Sequence, residues 1–186
     1  MTAGTRTGVD MKGTITTCLA ELVETKFGAD RWTAVLDLAG IEAKMRPQLK
    51  MAIADIPDFA VVALLDATAS VLGISAEQAA DAFGEYWCCT YAPATYKAVV
   101  ARWSNARDTI LSLDTLHVRM TQTVPNARPP RFEYQWHDEN TLDVTYRSHR
   151  HLLGVYMGLA RGVGKLFGEP LKVFPLDWDR VRIVFS

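Results

Sequence analysis

Cysteine is scarce. Cys18, Cys88 and Cys89 make an odd count with two adjacent, which argues against a disulfide framework and fits reduced thiols in a cytoplasm. No Cys-x-x-Cys pair offers the spacing of a structural zinc site. An excess of one charge is also missing: the formal net charge is −1, and the basic residues are scattered and form no stripe, so nucleic acid is not an expected partner. Long apolar runs are absent too. The stretch from Phe59 to Leu65 falls far short of the roughly 20 residues needed to cross a bilayer, so no membrane association is expected. Neither a Gly-x-Ser-x-Gly nucleophile turn nor a phosphate-binding glycine loop occurs, and nothing marks the chain as an enzyme. The polar N-terminus lacks the apolar core of a secretory signal. Residues 1–10 read as a disordered leader and 11–186 as a single cytoplasmic domain.

What is present is enough apolar sequence, 49% of 186 residues, to bury a sizeable core. From Met11 onward Ile15, Leu19, Leu22, Val23 and Phe27 recur at helical spacing, with Gly28 placed to end the helix. Asp30 can cap a second helix that stops at Gly40, and Pro57 suits the first turn of a third, running to about Leu72. Ser75 and Gln78 form a capping-box pattern before Ala82, Phe83, Tyr86 and Trp87. A further helix is expected around Tyr96 to Trp103. Between about Ala106 and Val124, Ile110, Leu113, Met120 and Val124 share one stripe, and His117 sits within it. After Pro129-Pro130 the period changes. Phe132, Tyr134, Trp136 and then Leu142, Val144, Tyr146 alternate as two strands of a hairpin turning at His137 to Asn140. A helix from about Arg150 to Phe167 precedes a second pair of strands, Leu171 to Leu176 and Val181 to Phe185. The expected fold class is therefore α+β: an N-terminal helical subdomain, then a four-stranded antiparallel sheet with helices.

A histidine in the apolar stripe of a helix has two readings. It is a core residue whose ring nitrogens find backbone partners, or it is an imidazole offered to a metal in an apolar slot, as a heme iron requires. Helix spacing does not choose between them. Three features together do: Met11-Lys12-Gly13 opening the first helix, Leu116-His117 in the later one, and Tyr146-x-Ser148-x-Arg150 after the hairpin, with Pro129-Pro130 and Gly158-Leu159 at matching separations. In these the chain resembles the H-NOX family, the heme-based gas-sensing domains related to soluble guanylate cyclase, over about Met11 to Phe185. Ala82-Phe83-Gly84-Glu85-Tyr86-Trp87 further resembles the cyanobacterial branch.

The resemblance implies heme b (iron protoporphyrin IX) buried between the two halves, with His117 as the axial iron ligand. Tyr146, Ser148 and Arg150 would hold the propionates, while Ile15 and Pro130 would press on the macrocycle, although Pro130 also suits a plain break between subdomains. The distal pocket would be formed by Leu19, Trp87, Cys88, Tyr91, Val155 and Leu159. Val155 stands where oxygen-holding members carry a tyrosine, so nitric oxide and carbon monoxide are the expected ligands. Tyr156, one place on, is turned by about 100° and reads as core. Nitric oxide would weaken the iron–His117 bond, the halves would shift, and the signal would pass to a separate histidine kinase or cyclic-di-nucleotide signalling enzyme. The competing classes are a heme enzyme or redox-active thiol protein and a heme-free interaction module. A zinc site on His137, His149 and His151 is not expected, and Cys88 and Cys89 read as small hydrophobes.

Overall fold

The computed structural model describes residues 10–186, so the expected leader lies outside the described residues except for Asp10. That residue pairs with Pro57: strand β1 (Asp10–Lys12) runs antiparallel to β2 (Asp55–Pro57). Met11 and Lys12 thus belong to a strand, and the first helix, α1 (Thr14–Phe27), opens one turn later than its apolar spacing suggested. The reason lies at Gly13. Its N–H donates to the Ala54 carbonyl at 2.8 Å and a side chain there would strike the Met51 backbone, so the chain is pinned to the β2 segment before it coils.

Helices α2 (Ala29–Leu38), α3 (Asp58–Leu72) and α4 (Ala76–Tyr86) complete the helical half. Asp30 lies in the first turn of α2 without capping it, and Pro57 ends β2 at the N-cap of α3, outside the helix. The capping box is as the sequence reads: Ser75 Oγ accepts from Gln78 N and Gln78 Oε1 from Ser75 N. A π-helical segment, Trp87–Tyr91, follows α4 directly and was not visible in the sequence. Widening the helix by one residue per turn re-aims Trp87, Cys88 and Tyr91 from the register they would have had. Two short helices follow, α5 (Ala92–Thr95) and α6 (Lys97–Val100); the one expected to reach Trp103 is only these four residues, and Ala101 onward is turn and loop.

Helix α7 (Ala106–Thr123) is capped by Asn105, whose side chain accepts from Asp108 N at 2.7 Å. Strands β3 (Arg131–Trp136), β4 (Thr141–Arg147), β5 (Lys172–Pro175) and β6 (Arg180–Val184) form one antiparallel sheet in the order β3-β4-β6-β5, with α8 (Leu153–Phe167) between the hairpins in sequence. The α8 start differs from the expected Arg150 because His151 adopts φ 53°, a left-handed turn that no helix continues through.

Two hydrophobic clusters result. Leu19, Val23, Val35, Leu49, Ile56, Leu64 and Phe83 centre the helical one; Ile110, Leu142, Val144, Tyr156, Val181 and Ile183 centre the sheet one. Each such fully buried aliphatic contributes about 1.5–3 kcal/mol of burial. Trp87 and Leu159 pack against both clusters and so sit at their seam. The seam is held by α4 against α8 with almost no side chain between them: a Cβ on Gly84 would fall on the Gly158 carbonyl, one on Gly158 on the Ala80 carbonyl, and one on Gly162 on the Gly84 carbonyl. Among the described residues no single helix is long and apolar enough to cross a membrane.

Candidate functional site

Helix α7 carries an apolar stripe that is only partly buried beyond its first turns. Only Ala106, Thr109 and Ile110 near its start are buried; Leu111, Leu113, Leu116, Val118 and Met120 remain half-exposed. His117 lies in this stretch. Its Nδ1 is 2.7 Å from the Pro130 carbonyl oxygen, and because that oxygen can only accept, Nδ1 carries the proton. Nε2 has no hydrogen-bond partner among the described residues. Burial pushes the imidazole pKa down, against the opposing pull of the Pro130 carbonyl and Asp114, so the ring is neutral. A neutral ring with one nitrogen tied back and the other open is the form in which histidine ligates a metal. The Phe132 ring packs beside it at 5.3 Å between centroids.

The expected propionate residues come together, though not as an extended run. Strand β4 ends at Arg147, and Ser148 Oγ accepts from Arg150 N at 3.2 Å, turning the chain. Burial raises the pKa of the Tyr146 phenol, with Ser148 and the Arg150 charge acting against it. Arg150 is already engaged: Nε donates to Asp58 Oδ1 at 2.8 Å, Nη2 to the Asp10 carbonyl at 3.0 Å and Nη1 to the Arg128 carbonyl. Its side chain is only 5% exposed. Three of its five N–H groups are used, and the remaining two can still hold a carboxylate. Asp58, which also takes His149 Nε2 at 2.9 Å, was not singled out from the sequence.

The six residues expected on the distal side divide. Leu19 and Tyr91 are buried in the helical cluster, and Trp87, Val155 and Leu159 pack against it, as does Ile15. Cys88 belongs to the sheet cluster, its thiol donating to the Leu159 carbonyl at 3.6 Å. The Tyr91 hydroxyl lies 3.2 Å from Thr14 Oγ1, which also meets Tyr96 Oη at 2.6 Å; Thr14 is a further residue that spacing did not reveal. Tyr156 is buried in the sheet cluster with its ring 4.8 Å from Phe132, as its core reading required. Cys89 is exposed, which corrects its reading as a buried hydrophobe. No cluster of three metal-binding side chains occurs among the described residues; His149 faces Asp58, and His151 lies beside Trp178.

The family described as Haem-NO-binding matches residues 12–174. The chain belongs to that family, the H-NOX domains. These are heme-based gas sensors. Solved H-NOX structures share the fold over almost the whole chain. The unliganded Fe(II) protein from K. algicida is 20% identical, with 95% of this chain and 96% of that one covered at a TM-score of 0.76. The S. oneidensis protein in the Fe(II)NO state is 16% identical, covering 95% and 98% at 0.79. A mutant of T. tengcongensis H-NOX is 22% identical, covering 95% and 98% at 0.74. No curated protein matches. In this H-NOX chain the residues fit a heme: α7 supplies a neutral imidazole on a half-exposed apolar stripe, and Arg150 retains donors for a carboxylate.

Proposed function

We propose that the chain senses nitric oxide through a heme b ligated by His117, and hands the signal to a separate protein, a histidine kinase or cyclic-di-nucleotide signalling enzyme, in the cytoplasm. The observation that carries this reading is the His117 Nδ1–H to Pro130 carbonyl bond on the half-exposed apolar stripe of α7. The heme supplies a ferrous iron able to take a diatomic gas. His117 offers Nε2 from one side, its ring orientation and tautomer fixed by Pro130. Tyr146, Ser148 and Arg150 hold the propionates, and Ile15 and Pro130 pack on the macrocycle. Leu19, Trp87, Cys88, Val155 and Leu159 line an apolar distal wall with Tyr91, whose hydroxyl faces Thr14 Oγ1 at 3.2 Å.

Without a distal donor, oxygen loses stabilisation that nitric oxide and carbon monoxide do not need, so selectivity is a difference of affinities. Signalling requires two arrangements that bind the ligand differently; the candidate moving parts are α7 with His117 on one side and the helical cluster with Ile15 on the other. His117→Gly tests the assignment. It should purify with little heme and regain heme when imidazole is supplied, because the ring is the one strong protein ligand to the iron. Heme retained at the unmodified level, with an unchanged ferrous absorption spectrum, would reject His117 as ligand.

A further inference from the structure

The same stretch of α7 that carries His117 grips the start of β3 at successive points. Ile110 accepts at its carbonyl from the Tyr134 hydroxyl at 2.8 Å. One turn on, Asp114 Oδ1 accepts from Arg131 Nε at 2.7 Å and from the Phe132 backbone N–H at 2.9 Å, while Oδ2 accepts from Arg131 Nη2 at 2.7 Å. One further turn brings His117 to Pro130. Asp114 therefore anchors the two residues that directly follow the carbonyl on which the imidazole depends. Phe132, held through its backbone by Asp114, also places its ring against that of His117.

Resting on the reading of His117 as iron ligand, we propose that Asp114 is the positioning residue of the proximal side: its carboxylate fixes the Pro130–Phe132 segment against α7 so that the Pro130 carbonyl stays within reach of His117 Nδ1. Asp114 makes no hydrogen bond to His117; beyond the pull of its charge on the ring, it acts through the backbone it holds. The bidentate grip makes the contact directional. Two oxygens on one planar guanidinium, with a backbone N–H shared on the first, leave the segment little freedom to slide along α7. An imidazole whose Nδ1–H is well held is a more basic ligand, and loosening such a partner typically weakens metal retention roughly 10–100-fold.

The test is resonance Raman spectroscopy of the ferrous, unliganded holoprotein, reading the iron–histidine stretch, together with the rate of heme loss to an excess of a heme-accepting protein. Asp114→Ala should lower and broaden the stretch and speed heme loss about tenfold. Asp114→Asn keeps an oxygen for Phe132 N–H while losing the charge for Arg131, and should move both readouts less, in the same direction. Asp143→Ala breaks a similar bidentate pair, with Arg182 between β4 and β6, and serves as the control for general loosening. The proposal is overturned if Asp114→Ala leaves the stretch and heme loss unchanged, or if Asp143→Ala shifts the stretch equally. Should Asp114→Ala fail to fold, an unshifted stretch in Asp114→Asn overturns it. A wild-type spectrum with no iron–histidine band at all rejects the ligand assignment itself, whereas a band indifferent to Asp114 rejects only the positioning role.

Discussion

Asp58 accepts from Arg150 Nε at 2.8 Å across 92 residues of sequence, joining the first turn of α3 in the helical half to the turn that leads into α8. Because the Arg150 side chain is 5% exposed and that of Asp58 20%, the pair is shielded enough to matter. Asp58→Ala strands a guanidinium away from water and should cost roughly 1.5–3 kcal/mol, read as a lower urea midpoint. Heme retention separates the two partners: Arg150→Ala should lose heme faster, while Asp58→Ala, which frees another N–H for a propionate, should not. Equal heme loss in both would show that Arg150 acts only as a strut.

The ferrous protein should bind nitric oxide and carbon monoxide yet give no persistent oxy spectrum in air. Val155 carries no donor, and the Tyr91 hydroxyl lies 3.2 Å from Thr14 Oγ1, a partner it can donate to. A hydrogen bond to bound ligand is worth about 1 kcal/mol net and more in an apolar pocket, so its absence costs oxygen most. Thr14→Val is the sharper probe. It releases the Tyr91 hydroxyl, and a gain of oxygen binding in that variant alone would show that Thr14 keeps the donor occupied.

Gly158→Ala should lower stability by roughly 1–3 kcal/mol, since the added methyl meets the Ala80 carbonyl and a backbone cannot move aside as a side chain can. Gly154→Ala, on the same helix with open space around it, should be neutral or stabilising. Thermal unfolding of the two variants side by side checks the contrast.

The Arg131 side chain holds the Asp114 carboxyl down to about 2, from an ordinary value near 3.8, with the Phe132 N–H assisting. A depressed carboxylate stabilises the fold above its ordinary value and loses that contribution as pH falls through the window from about 4 to about 2. Urea midpoints recorded at successively lower pH should therefore fall more steeply for the unmodified protein than for Asp114→Asn. Parallel slopes would mean that the pair contributes nothing to acid stability.

Much of this was legible in the sequence because it depends on local period. The capping box at Ser75, the α7 stripe around His117 and the two alternating hairpins all follow from spacing alone. The cofactor reading needed more: His117 alone reads first as a core histidine, and only Met11-Lys12-Gly13, Leu116-His117 and Tyr146-x-Ser148-x-Arg150 together, at family separations, pointed to a heme. What stayed hidden is long-range or made by backbone. Nothing local pairs Asp58 with Arg150, or Thr14 with Tyr91 and Tyr96, and the π-helical turn at Trp87 has no compositional mark. Asp114 is different. It sits three residues before His117 on the same face of a helix, and i,i+3 spacing was available to point to it.

The three glycines at the α4–α8 crossing also limit how this protein can be altered. Gly84, Gly158 and Gly162 occupy one interface in which each backbone fills the space a neighbour's side chain would need. Single-step exploration is closed there, since any larger residue demands that both helices be re-spaced at once. Trp87 follows α4 directly, and Val155 and Leu159 lie on α8, so anyone retuning ligand preference can exchange those side chains while the mount that carries them stays at a fixed separation. Pocket chemistry is thus free to diverge one residue at a time on a frame that must be inherited whole.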